Sequence, residues 1–99
     1  MIKNFRTLDL AEEFFNDCEK LAVRPLFRDQ LSRASLSIVL NLSEGSARST
    51  KKDRHRFYIM ALGSFRESQS LLKLSGHTEI LKKHDVLGAC LYKLTRATV

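Results

Sequence analysis

Residues 33–67 read RASLSIVLNLSEGSARSTKKDRHRFYIMALGSFRE and decide the fold, because two helical apolar patterns in this stretch both run into polar residues. In the first pattern Leu31, Ala34 and Ile38 have the spacing of one helix face, and the same spacing leads to Asn41. The second pattern is apolar, then polar, then apolar again: Phe57, Met60, Ala61, Ser64, Glu67, Leu71 and Leu74. A buried polar group is costly unless it is hydrogen-bonded. These polar positions therefore need either partners or a function.

Length and composition indicate one helical domain spanning residues 1–99. The chain is 43% hydrophobic with one proline and 4 glycines, which argues against disorder. No apolar run approaches the roughly 20 residues of a membrane helix, and no secretory signal is visible near Met1. We therefore expect no contact with a membrane. Cys18 and Cys90 have no CxxC partner, which predicts free thiols in a cytoplasmic protein.

Helical periodicity and local stop signals predict four helices, at approximately 7–23, 25–46, 51–75 and 84–98. Thr7 is expected to cap the first helix, and Pro25 suits the first turn of the second. Ser49 or Thr50 could cap the third helix, which is expected to end at Gly76. Residues 78–83 could be a loop or an early turn of the last helix. The predicted fold is all-α, an antiparallel up-down-up-down four-helix bundle.

The third helix has more apolar surface than one core needs. A second stripe lies beside the pattern described above and consists of Tyr58, Leu62, Phe65 and Leu72. A helix that is apolar over much of its circumference is either central in a large protein or buried at a subunit contact. For a short chain the second alternative predicts a homo-oligomer.

The polar positions of the two helices are predicted to form a network. They follow helical spacing on each helix: Arg33, Ser37, Asn41 and Glu44 on the second, Ser64 and Glu67 on the third. The network either fixes how the two helices pack or forms a functional pocket. Gly45 and Gly63, which are costly inside helices, indicate a close approach of another backbone.

The formal charge of +6 is concentrated in the second half of the chain. Residues 1–50 have equal numbers of cations and carboxylates, whereas residues 51–99 have ten Lys and Arg against four Asp and Glu. The densest cluster is the junction between the second and third helices: Arg48, Lys51, Lys52, Arg54 and Arg56, with His55 as a minor contributor. Such a cluster either binds phosphates or is a solvated junction that maintains solubility.

The sequence offers no support for an enzyme, a metal site or a cofactor. Glu44 and Glu67 lack the His three residues later that bundle metal sites use, and no phosphate-binding GK[ST] loop is present. Ser64 has no base nearby in sequence. The three histidines are expected at junctions and helix ends, away from the core, and the spacing of His77 and His84 is only a weak metal signal.

The order and spacing of the polar and small residues resemble a known family. The resemblance covers residues 33–38 (RASLSI), 41–45 (NLSEG), Arg48, Phe57, 61–64 (ALGS) and Glu67. The family comprises four-helix bundle proteins encoded in intervening sequences of bacterial 23S ribosomal RNA genes. It is similar to the accessory variability determinant of diversity-generating retroelements. Ser43 departs from the more usual Ala and Leu42 from the more usual Ile, and the chain is short at its C-terminal end.

The resemblance implies a bundle that assembles as a ring, typically a pentamer, and implies no enzyme activity. In the retroelement branch it also implies a basic surface that contacts a reverse transcriptase and nucleic acid. We therefore expect a non-enzymatic oligomer that binds nucleic acid, ribosomal-RNA-like RNA above all, through basic patches repeated around the ring. The alternatives are a protein-interaction scaffold and a protein of no settled role carried by an intervening sequence.

Overall fold

A computed structural model describes residues 5–99, with the side chains from Arg6 onward, and this part of the chain is all-helical. It contains five helices: α1 (Phe5–Lys20), α2 (Pro25–Ser46), α3 (Lys51–Leu74), α4 (Glu79–Lys83) and α5 (Asp85–Ala97). None of these helices combines the length and the apolar character that a membrane span requires. The predicted all-α class is confirmed for the described residues.

The first helix differs from its prediction at both ends. Thr7 lies inside α1 and is 6% exposed, so its predicted role as the N-cap is wrong. The helix ends at Lys20, and the guanidinium of Arg28 donates hydrogen bonds to the carbonyl oxygens of Cys18 (2.9 Å) and Glu19 (3.4 Å). The carbonyls of a last helical turn lack i+4 partners, and here a cation binds them, although the N–H of Leu21 also donates to the Cys18 carbonyl (3.3 Å).

The ends of α2 and α3 follow their local sequence signals. Pro25 is the first residue of α2, and the Thr50 hydroxyl accepts a hydrogen bond from the backbone N–H of Asp53 (3.1 Å) to cap α3. Beyond α3, Gly76 adopts φ +81°, and its N–H donates to the carbonyl of Lys73 (3.2 Å). The N–H of His77 donates to Leu72 (2.8 Å), which completes a Schellman C-cap.

The C-terminal region contains one helix more than predicted. Residues 79–83, which the sequence left open, form the short helix α4, and α5 begins after it at Asp85. His84 separates the two with φ −107° and ψ 23°, outside the helical range. Its ring is held by Asp17 of α1, which fixes the break between the helices.

The helices pack pairwise around a common apolar core. Gly45 faces Tyr58 and Ser37 bonds Ser64, so α2 and α3 run in opposite directions. The core residues come from all five helices: Ala11, Phe14, Cys18, Leu31, Ile38, Leu42, Tyr58, Ala61, Leu62, Phe65, Leu72, Ile80, Leu87 and Leu91.

The core face of α3 is not the one that the sequence suggested. The stripe predicted for a subunit contact, from Tyr58 to Leu72, is the buried face, with Phe65 packed against Phe14 at 5.4 Å between ring centroids. In the other pattern Ala61 is buried with the core, but Met60 is 40% and Leu74 is 73% exposed. The stripe from Tyr58 to Leu72 therefore belongs to the core of the chain itself, and the apolar surface that α3 leaves exposed comes from the other pattern.

Candidate nucleic-acid interface

The two lysines at the start of α3 are the cations best placed to bind a phosphate. Lys51 and Lys52 form its first turn, directly after the Thr50 cap, and both are exposed. Neither ammonium makes an ion pair or hydrogen bond with any residue that the structure describes. Both remain available to an anion from solvent.

Arg54 has a different role from its neighbours. Its Nη1 atom donates to the carbonyl oxygens of Arg48 and Ser49, both at 3.2 Å, and the residue is half-buried. These carbonyls follow the end of α2, where the helix macrodipole favours a cation. Arg54 therefore holds the turn between α2 and α3 in shape, and part of its hydrogen-bonding capacity is already used.

Arg48 and Arg56 lie over the same aromatic ring. Their Cζ atoms are 4.9 Å and 4.5 Å from the centroid of Phe57, within cation–π range. Arg48 also pairs with Glu44, and Arg56 lies 4.0 Å from the Asp53 carboxylate. We call Arg48, Arg56 and Phe57 the arginine–phenylalanine cluster. The sequence places Phe57 on an apolar face and gives no sign of this role.

The end of α5 adjoins the start of α3. The Nδ1 atom of His55 lies 3.0 Å from the Thr98 hydroxyl. A shallow cavity of about 460 Å³ lies here, lined by Lys51, Lys52, His55, Thr98 and Val99. The last turn of α5 also carries the exposed Arg96. Sequence reasoning missed Arg96, because nothing local shows that α5 ends beside the junction.

Three of the six residues predicted as a polar network are joined by hydrogen bonds. The Ser64 hydroxyl donates to the Ser37 hydroxyl (2.9 Å), which also accepts from Nδ2 of Asn41 (3.0 Å). Asn41 donates further to the Ser37 carbonyl (2.9 Å), and all three residues are half-buried. This small network bridges α2 and α3 at the edge of their contact.

The other three predicted members lie on the surface. Arg33 pairs with Asp29 at 3.2 Å, with both side chains about three-quarters exposed. Glu44 pairs with Arg48 along α2, and Glu67 is exposed without a partner among residues 6–99. Neither Arg33 nor Arg48 pairs with Glu67, because these positions face away from the core.

A second polar cluster, unforeseen from the sequence, joins α1 to the junction of α4 and α5. His84 is 3% exposed, contrary to the expectation that the histidines avoid the core, and its Nε2 lies 2.8 Å from Oδ2 of Asp17. Lys83 Nζ lies 2.8 Å from the same oxygen. This hydrogen bond lowers the pKa of Asp17 below 3.8, with a smaller contribution from His84 and against the effect of burial.

In the described part of the chain, three side chains of this region are close enough together to hold a metal ion. Ligand atoms of Glu13, Asp17 and His84 lie within 4.8 Å of one another. The ammonium of Lys83 already supplies a positive charge to Asp17, and the Asp17 oxygen accepts from two donors. The arrangement is that of an ion cluster that fastens α4 onto α1.

The two cysteines are free thiols. Cys18 is buried and Cys90 half-buried, and burial raises the pKa of the Cys18 thiol to about 12. A thiol of such high pKa is a poor nucleophile at neutral pH.

Comparison with known proteins gives one finding. A family model described as 23S rRNA-intervening sequence protein matches residues 5–95. The comparisons with curated proteins and with solved structures give no match.

Proposed function

Because the chain belongs to the family of 23S rRNA-intervening sequence proteins, we propose that it binds ribosomal RNA, or RNA of similar structure, and catalyses no reaction. The observation that carries the proposal is the pair of exposed, unpaired ammonium groups of Lys51 and Lys52 at a junction with three arginines. Phosphate binding by such cations is largely independent of base sequence. Selectivity would come from the shape of the RNA. The proposal implies that the protein works in the cytoplasm.

A ring assembly is the second part of the proposal. In it the long helices form antiparallel up-down four-helix bundles, and several copies, five by the family resemblance, repeat the junction around the ring. Support comes from large apolar side chains left exposed on the outer sides of α2 and α3: Leu36, Leu40, Ile59 and Met60, each 40–57% exposed. If several copies of the junction contact one RNA, avidity would raise the overall affinity above that of a single weak phosphate site.

The RNA-binding proposal is tested by fluorescence anisotropy with a labelled fragment of 23S ribosomal RNA at low and at physiological salt. The double variant Lys51→Glu, Lys52→Glu should lose at least roughly 10-fold in affinity, because two attractive charges become repulsive. Arg54 stays unchanged in this variant, since its contacts with the Arg48 and Ser49 carbonyls hold the turn.

The matched control is Lys73→Glu, Lys82→Glu. Both lysines are exposed, and Lys73 lies about 30 Å along α3 from Lys51. The control makes the same change in net charge and should retain most of the affinity. Equal losses in the two variants would contradict the assignment of the site, and a wild-type protein that binds no RNA even at low salt would overturn the function.

The assembly is tested by light scattering with and without Leu40→Glu and Met60→Glu. An oligomer that dissociates in the double variant supports the ring, and a wild-type monomer at micromolar concentration contradicts it. An oligomer without RNA binding would favour the alternative function, a scaffold whose exposed apolar faces dock another protein, such as a reverse transcriptase.

A further inference from the structure

The arginine–phenylalanine cluster has features that a simple phosphate site does not need. A phosphate requires only positive charge, which Lys51 and Lys52 supply. Here two guanidinium groups lie over one ring, with Cζ-to-centroid distances of 4.9 Å and 4.5 Å. Both arginine side chains remain accessible, at 41% exposure for Arg48 and 59% for Arg56. The cluster therefore presents planar cations to solvent in a fixed place.

The position of the cluster is set by the backbone and by acidic partners. Phe57 is half-buried, and its Cβ lies 3.0 Å from the point where a Cβ would stand on Gly45 of α2. The base of the Phe57 side chain thus lies against the neighbouring helix. Glu44 pairs with Arg48, and the Asp53 carboxylate lies 4.0 Å from Arg56, so each guanidinium also has an acidic neighbour. Binding to such a preordered surface costs less side-chain entropy than binding to free arginines.

We infer that the arginine–phenylalanine cluster stacks unpaired RNA bases, so that the preferred ligand is RNA with single-stranded loops or ends. This inference rests on the proposed function. Arginine planes and aromatic rings are the groups on which splayed bases stack, whereas bases inside a duplex are already stacked on each other. Lys51 and Lys52, a few residues before Phe57 on α3, would contact the phosphates that flank the stacked base.

The experiment measures the affinity of the protein for two labelled RNAs, one unpaired strand and one perfect duplex. Each strand has about 12 nucleotides, a length within the range of single-strand binding sites. The variant Arg48→Lys, Arg56→Lys keeps both charges but removes both guanidinium planes. We expect it to lose roughly 10-fold in affinity for the unpaired RNA, the size expected for lost base stacking, and to bind the duplex nearly as the wild type does.

A matched control and a second variant keep the test decisive. Arg33→Lys, Arg66→Lys makes the same change at exposed positions of the same two helices and should leave both affinities unchanged. Arg56→Lys alone alters only the more exposed member of the cluster, so a folding defect in the double variant would not hide the effect. Circular dichroism verifies that each variant is folded.

The outcomes separate the two levels of the proposal. A selective loss for unpaired RNA supports base stacking. If the double variant binds both RNAs as the wild type does, or weakens both equally, the stacking inference fails while RNA binding stands. If the wild-type protein binds neither RNA at low salt, the proposed function fails and the inference fails with it.

Discussion

At the scale of single residues, Gly45 and Gly63 differ although both are glycines inside helices. A Cβ on Gly45 would lie 2.7 Å from Cε1 of Tyr58, a ring that is 1% exposed and would have to shift within the core. A Cβ on Gly63 would meet nothing within 4 Å. The sequence suggested the close approach of another backbone at both glycines, but the nearest atoms at Gly45 are side-chain atoms of Tyr58 and Phe57, and Gly63 has no close neighbour.

We expect Gly45→Ala to destabilise the fold by about 1–3 kcal/mol, because overpacking against Tyr58 outweighs the gain in helix propensity. Gly63→Ala should stabilise it by up to about 1 kcal/mol, since only the propensity gain applies. Urea denaturation of the two variants measures both effects. A stabilised Gly45→Ala protein would show that the ring of Tyr58 can shift.

The cations of the junction also differ from one another in their hydrogen bonds. The sequence presents Arg54 and Lys51 as equivalent members of one basic cluster. In the structure Arg54 donates to two backbone carbonyls, while Lys51 points to solvent without a partner in the described chain. The difference depends on which carbonyls the end of α2 leaves unsatisfied, and residue spacing does not encode it.

At the scale of helices, local signals predicted the ends of α2 and α3 well. Pro25, Thr50 and Gly76 act through their own backbone geometry, so their effects are visible in sequence. The core face of α3 was harder, because two neighbouring stripes both had helical spacing. The choice between them depends on distant partners such as Phe14, which packs on Phe65.

The ion cluster of Asp17, Lys83 and His84 gives a prediction for the attachment of α4. Asp17→Asn should cost about 1–3 kcal/mol at neutral pH, because the buried His84 ring and Lys83 lose their charged acceptor. The control is Glu12→Gln, an exposed position on the same helix without a partner among the described residues. Thermal denaturation measures the difference.

The pH dependence of this effect follows from the pKa of Asp17, which is lower in the folded protein than its ordinary value of 3.8. Its stabilising contribution is therefore present above that value and is lost as the pH falls through the lower, folded-state pKa. The difference between wild type and Asp17→Asn should shrink below about pH 4. A difference that stays constant down to pH 2 would contradict the role of the Asp17 charge.

At the scale of the whole molecule, cations from distant parts of the sequence lie together at the end that contains the α2–α3 junction. Arg28, near the start of α2, bonds the Cys18 carbonyl near the end of α1, so these two helix ends lie together at the end of the bundle away from the junction. The start of α1, with Arg6, therefore lies at the same end as the junction. The last turn of α5, with Arg96, reaches that end through the contact between Thr98 and His55. Sequence alone located the basic junction but could not show which helix ends surround it.

We expect Arg96→Gln to reduce the salt dependence of RNA binding although Arg96 is distant from the junction in sequence. The slope of log K against log salt should become shallower by about 0.7 if Arg96 contacts one phosphate of single-stranded RNA. Lys73→Gln, at the far end of α3, removes the same charge and should leave the slope unchanged. Equal slopes for the Arg96 variant and the wild type would confine the interface to the α2–α3 junction.

The sequence separation of the contacts between helices also predicts the order in which the helices fold. Gly45 and Tyr58 meet across a short turn, whereas the contact between His55 and Thr98 spans 43 residues and that between Asp17 and His84 spans 67. Closing a short loop costs less chain entropy, so the α2–α3 hairpin is expected to fold first, with α5 and the α1 ion cluster docking later. Lys51 and Lys52, which are proposed to bind RNA, would then take their places in the earliest part of the molecule to form, so that RNA could bind a chain whose last helix, with Arg96, is still undocked.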